Sequence, residues 1–174
     1  MDISLTGVER RFDANDVIVT KTDLGGRLTY ANKVFLDISS LTEKQALGAP
    51  HNIIRHPKMP AVIFRLLWQT IQKGDEIFAY VLNRATNGDH YWVLAHVTPS
   101  FDRSGKVIGY HSNRRVPNRQ VIASAIEPLY ADLLAIEARA GGRTTGIEAA
   151  QARLTDILTD KGTDYERFVF SLQA

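Results

Sequence analysis

The chain contains no cysteine in its 174 residues. Disulfides, thiolate metal sites, iron–sulfur clusters and a cysteine nucleophile are therefore excluded. It also lacks a dominant charge. There are 21 Lys and Arg against 19 Asp and Glu, and the basic residues form no run longer than the pairs at 10–11 and 114–115. Without a basic stripe, neither a nucleic acid nor an anionic membrane surface is an expected partner. Long apolar runs are missing too: AVIFRLLW is the longest, is interrupted by Arg65, and is far too short to span a bilayer. The opening MDISLTGVERRFD has no apolar segment of the secretory kind. A soluble, cytoplasmic protein without a transmembrane segment is the expectation. No GxSxG, GxGxxG, HExxH or Gly-rich loop ahead of Lys-Ser/Thr appears, so no catalytic residue and no metal ligand is assigned. An enzyme is not expected.

What is present suffices for a folded core, at 44% hydrophobic and 23% charged residues. Val17–Thr22 is β-branched and is followed by TDLGG and the alternating Arg27–Ala31, which predicts a short hairpin. Asn32 opens a short helix, and TEKQ at 42–45 is a capping-box pattern. Pro60 suits the first position of a helix that carries Ile63, Leu66, Leu67 and Ile71 at helical spacing and stops at Gly74. EIFAYVLNR and DHYWVLAHVT, joined through Asn87-Gly88, predict a long hairpin, and VIGYHSNRRV a further strand. Five antiparallel strands with short helices on one face make an α+β domain. Beyond it, an apolar stripe from Val121 to Ile136 predicts a helix that Pro128 kinks or breaks. GGR at 141–143 reads as a hinge, TGIE at 145–148 as a second capping box, and TDYE at 163–166 as the start of a last helix. No internal repeat is present.

One segment stands out chemically. HNIIRHPKMP, residues 51–60, gathers two histidines, an arginine, a lysine and two prolines. A metal site, a surface loop and the rim of a ligand pocket are its three readings.

Together with TDLGGRLTYAN, NRATNGDHYW and GKVIGYHSNR, this segment resembles the PAS domain, and more narrowly the PAS sensor of bacterial aerotaxis receptors. The resemblance covers roughly residues 16 to 137. It implies a PAS sensor domain over 1–117, with a short N-terminal extension, and a C-terminal helical extension over 118–174. It further implies a cytoplasmic redox or oxygen sensor that binds FAD non-covalently and signals to a chemotaxis-like module. The matching positions for the cofactor are Asn32, Arg55, His56, Trp68, Asn83, His90 and Trp92. The segment after the longer helix departs from the family: EIFAY stands where a Pro-Trp-small-Gly segment is common. The chain carries no HAMP-like linker or long signalling coiled coil, and reads as a detached sensor, a fragment or a relative with another output.

A flavin needs an apolar slot, polar groups for its uracil-like edge and cations for its pyrophosphate. On this resemblance the long hairpin supplies the slot. Ala79, Val81 and Asn83 share a face of its first strand, while His90, Trp92, Leu94, His96 and Thr98 share a face of its second. Arg55 and His56 sit at the rim and hold phosphate oxygens, with the prolines fixing the loop. Two alternatives stand beside this reading. One is a ligand-free module for homodimerisation or docking, its slot filled by Ile77 and Phe78. The other is a haem sensor using His51, His56 or His111. The downstream signalling protein is unknown on any of these readings.

Overall fold

The computed structural model describes residues 4–173. The chain forms two compact units: residues up to His56 with Thr70–Val116, and Pro57–Gln69 with the residues from Pro117 onward.

The first unit is built on a five-stranded antiparallel sheet of order β2-β1-β5-β4-β3, from β1 (Ile18–Thr22), β2 (Leu28–Ala31), β3 (Ile77–Arg84), β4 (His90–Phe101) and β5 (Val107–Arg115). Both expected hairpins form. The short one turns at Gly26, whose φ of +77° a side-chain-bearing residue rarely adopts. The long one closes with Ala85 N–H donating to Asp89 O at 2.8 Å.

Register decides which residues can meet. Asn83 lies opposite Tyr91, Ala79 opposite Ala95, Ala95 opposite Arg114, and Arg114 opposite Ile18. Because side chains alternate along a strand, these residues share one face. Leu82 opposite Trp92 and Arg84 opposite His90 belong to the other.

The first face is covered by α1 (Lys33–Ser39) and the 3-10 turn His51–Ile54, while α2 (Glu43–Ala46) lies between them in sequence. The Phe35 ring of α1 is 6.2 Å from the His51 ring, and the Arg114 guanidinium is 5.8 Å from the Phe35 ring. Asn32 caps α1 by accepting the Phe35 N–H, and α2 carries the expected capping box of Thr42 and Gln45.

The second unit is helical. It contains α3 (Ala61–Ile71) as far as Gln69, α4 (Arg119–Val121), a π-turn (Ile122–Ile126), α5 (Glu127–Arg139), α6 (Arg143–Asp160) and α7 (Tyr165–Ser171). Two expectations change here, and one is met. The α3 helix starts one residue after Pro60, and its first amides are capped from far away: Ala61 and Val62 N–H donate to the two carboxylate oxygens of Glu137 at 3.0 and 2.8 Å. Pro128 marks an interruption of the α-helical pattern, as expected. The preceding residues adopt π geometry, with Glu127 N–H bonding to Ile122 O, which absorbs the missing proline donor. TGIE is not a helix start. The α6 helix begins at Arg143, Thr145 Oγ1 donates back to Gly142 O, and Gly146 lies inside the helix against α5. A Cβ there would sit 2.6 Å from Glu137 O, so packing against α5 sets the helix position.

Candidate functional site

The sheet's first face is apolar except for a small polar group at its centre. Arg114 is 4% exposed, and one of its Nη2 hydrogens goes to Thr20 Oγ1 at 2.8 Å. Its Nη2 also donates to His51 Nε2 at 2.6 Å. Arginine has only donors, so Nε2 must be the bare nitrogen and the imidazole proton sits on Nδ1. Burial, aided by the Arg114 charge, holds the His51 pKa down to about 3, and burial pulls that of Arg114 down to about 10. Tyr91 is fully buried and burial raises its pKa, so its phenol is neutral.

Four atoms on this face are buried without a hydrogen-bond partner: Asn83 Nδ2, Tyr91 Oη, Ser112 Oγ and Arg114 Nη1. Each can donate. Orphaned buried donors are rare in folded proteins, since each forgoes its bond to water. A ligand edge rich in acceptors would satisfy them.

The expected site residues distribute unevenly around this face. Asn83 belongs to it, and Arg55 pairs with Asn83 through an antiparallel backbone bridge along the β3 edge. His56 is buried rather than on an open rim, and its ring lies 5.9 Å from that of His90. Asn32 serves the backbone: its Oδ1 accepts the N–H groups of Val19 and Phe35, and its Nδ2 donates to Val17 O. His90 and Trp92 lie on the opposite face from Asn83, because antiparallel pairing sets them beside Arg84 and Leu82. The slot and its polar edge therefore do not draw on both expected sets of hairpin residues. Trp68, in α3, belongs to the second unit and is partly exposed.

Geometry also bears on the alternatives. Ile77 lies buried on the first face, opposite Val97, as the ligand-free reading expects, whereas Phe78 stacks on His96 across the strand pair, centroids 4.1 Å apart, on the outer face. His51 uses Nε2 to accept from Arg114, which removes that nitrogen as a haem ligand. His111 pairs with Thr98 and Lys21 on the outer face.

Sequence reasoning passed over Arg114, Tyr91 and Thr20. The available signal was period-two spacing, since Tyr110, Ser112 and Arg114 alternate with His111, Asn113 and Arg115. Only the β4–β5 register says which set faces inward.

Comparison with known proteins agrees with this architecture. A family model described as the PAS fold matches residues 28–114, from the start of β2 to Arg114. The chain belongs to the PAS fold family. The PAS domain is 43% identical over 113 residues to the aerotaxis receptor of Escherichia coli (strain K12), a span covering 65% of this chain and 22% of the receptor. The chain thus spans about a fifth of that relative's length. Among solved structures, the dark state of the blue-light photoreceptor Aureochrome1 LOV superposes with a TM-score of 0.56 at 20% identity, covering 69% of this chain and 86% of that one. A light-oxygen-voltage domain studied with a flavin analogue gives 0.57 at 14% identity, covering 67% of this chain and 87% of that one. At such identities these two establish the fold alone. Among the described residues, no helix of the PAS domain is long and apolar enough to cross a membrane.

Proposed function

We propose that this PAS domain is a sensor that binds FAD non-covalently on the inner face of its sheet and reports redox or oxygen state to a chemotaxis-like signalling partner. The observation that carries the reading is the set of buried, unpartnered donors at Asn83, Tyr91, Ser112 and Arg114 on an otherwise apolar face. A flavin ring fits that chemistry, with two carbonyl acceptors flanking N3–H on its pyrimidine edge and an apolar rim at its other end. The 43% identity to an aerotaxis receptor supports the same choice.

On this reading Asn83 holds the polar edge of the ring and Arg55, whose backbone is bridged to Asn83, holds phosphate oxygens. When bound, the flavin supplies a redox couple whose two forms differ in charge and hydrogen bonding. The residues on the inner face register that difference by re-pairing, which biases packing on the sheet between two arrangements. The working form is expected to be a cytoplasmic homodimer with no enzymatic activity of its own.

The test is the absorbance spectrum of the purified protein, with mass spectrometry of whatever denaturation releases. A flavin spectrum that bleaches on reduction, and that weakens in Arg55→Ala and Asn83→Ala more than stability falls, is expected. Colourless protein that takes up no added FAD overturns the reading.

A further inference from the structure

We propose that Arg114 is the ligand-reading residue of the inner face: a buried cation without a counter-charge that selects an acceptor-rich ligand edge able to carry negative charge and favours the more anionic of two ligand forms. This rests on the FAD reading for the identity of the ligand, though not for the placement of the charge.

A buried arginine that serves only structure normally meets a carboxylate, because an ion taken out of water without compensation is heavily destabilising. Here the partners of Arg114 are a hydroxyl, a neutral imidazole and the face of the Phe35 ring at 5.8 Å, none of which carries a counter-charge, and among the described residues no carboxylate lies within salt-bridge distance of it. Both anchors hold Nη2, which leaves Nη1 buried and unpartnered. Thr20 and His51 therefore orient the planar fork while leaving one side of it unused. His51 suits that task, since its bare Nε2 accepts and stays neutral at physiological pH. Ser112 sits two residues away on the same face of β5, and its hydroxyl is also orphaned.

Two consequences follow. Without ligand, Arg114 destabilises the fold. With ligand, its charge stabilises the form carrying more negative charge on the bound edge. A flavin gains that charge on reduction, and a small carboxylate carries it already, so the two sources separate experimentally.

The full chain is compared with Arg114→Gln and Arg114→Lys in two measurements: thermal unfolding of ligand-free protein with and without added formate, and FAD affinity under argon in oxidised and chemically reduced form. Arg114→Gln is expected to unfold at a higher temperature than wild type when ligand-free and to lose the stabilisation by formate. It is also expected to lose at least tenfold more affinity for reduced than for oxidised FAD. For a two-electron couple, tenfold corresponds to a midpoint lowered by about 30 mV. Arg114→Lys should keep part of the preference, having charge without the fork. If Arg114→Gln does not fold, Arg114→Lys decides: a preference for reduced FAD unchanged from wild type overturns the proposal. Equal loss for both FAD forms, or lower ligand-free stability in Arg114→Gln, overturns it as well. If wild type binds no FAD, the FAD reading falls alone. The proposal then stands on the formate arm, and identical formate responses in wild type and Arg114→Gln reject it.

Discussion

Arg114 Nη2 donates to His51 Nε2 across 2.6 Å, joining the last strand to the 3-10 turn that begins HNIIRHPKMP. The bond answers what one of that segment's two histidines does. In the fold it is the neutral acceptor that holds an arginine beneath α1. Its strength depends on the imidazole staying unprotonated, since a second cation at that distance would be repelled.

That dependence makes stability sensitive to pH. The His51 pKa is about 3 in the fold against an ordinary 6.5, so between those values the unfolded chain binds the proton and the folded chain does not. Stability should therefore fall as pH drops from about 6.5 toward 3. His51→Gln keeps an acceptor but removes the titration, and its urea midpoint should change less than that of wild type between pH 7 and pH 4.5. Parallel pH curves for the two proteins would show that the sensitivity arises elsewhere.

Asn32 separates structural from cofactor roles. Its side chain makes three backbone hydrogen bonds, so Asn32→Ala should lower stability by about 1–2 kcal/mol, the range for a lost N-cap. Denaturant unfolding measures this, and flavin retention should fall no further than stability does. A selective loss of flavin would instead put Asn32 in contact with the cofactor.

Within the helical unit, the Glu137 carboxylate caps α3 from a position 75 residues away. Its removal in Glu137→Ala leaves two first-turn amides unmet and should cost about 1–2 kcal/mol. Glu137→Gln, which keeps an acceptor but loses the charge at the helix N-terminus, should cost less. The two unfolding midpoints settle the order.

Gly146 should invert the usual rule for helices. Replacing a helical glycine by alanine ordinarily gains up to about 1 kcal/mol. Here the new Cβ would meet Glu137 O at 2.6 Å, so Gly146→Ala should destabilise. Gly141→Ala, where a Cβ meets nothing within 4 Å, serves as the control and should be nearly neutral. A more stable Gly146→Ala protein would mean that α5 and α6 adjust freely.

Much of this fold was legible in the chain because it is written in short-range chemistry. The hairpin turn at Asn87-Gly88, the cap at Asn32 and the box at Thr42 and Gln45 each involve groups within a few residues. Pro128 belongs with these, since its local breaking signal coincides with one turn of π geometry just before it. TGIE has the opposite character: it satisfies a local capping pattern, yet the helix already runs from Arg143 and Gly146 lies inside it against Glu137, a contact that no local pattern records.

By itself the sequence determined the order of strands and helices and the absence of thiol chemistry, because these depend on composition, periodicity and neighbours in the chain, while the family was legible through the resemblance of its motifs. Only the tertiary structure decided which residues meet on the inner face. A strand's two faces look alike until its partners' register is known, and that register placed His90 and Trp92 away from Asn83 while burying Arg114 beside Thr20 and His51. The buried charge arises from pairing among segments distant in the chain, and no local pattern records it.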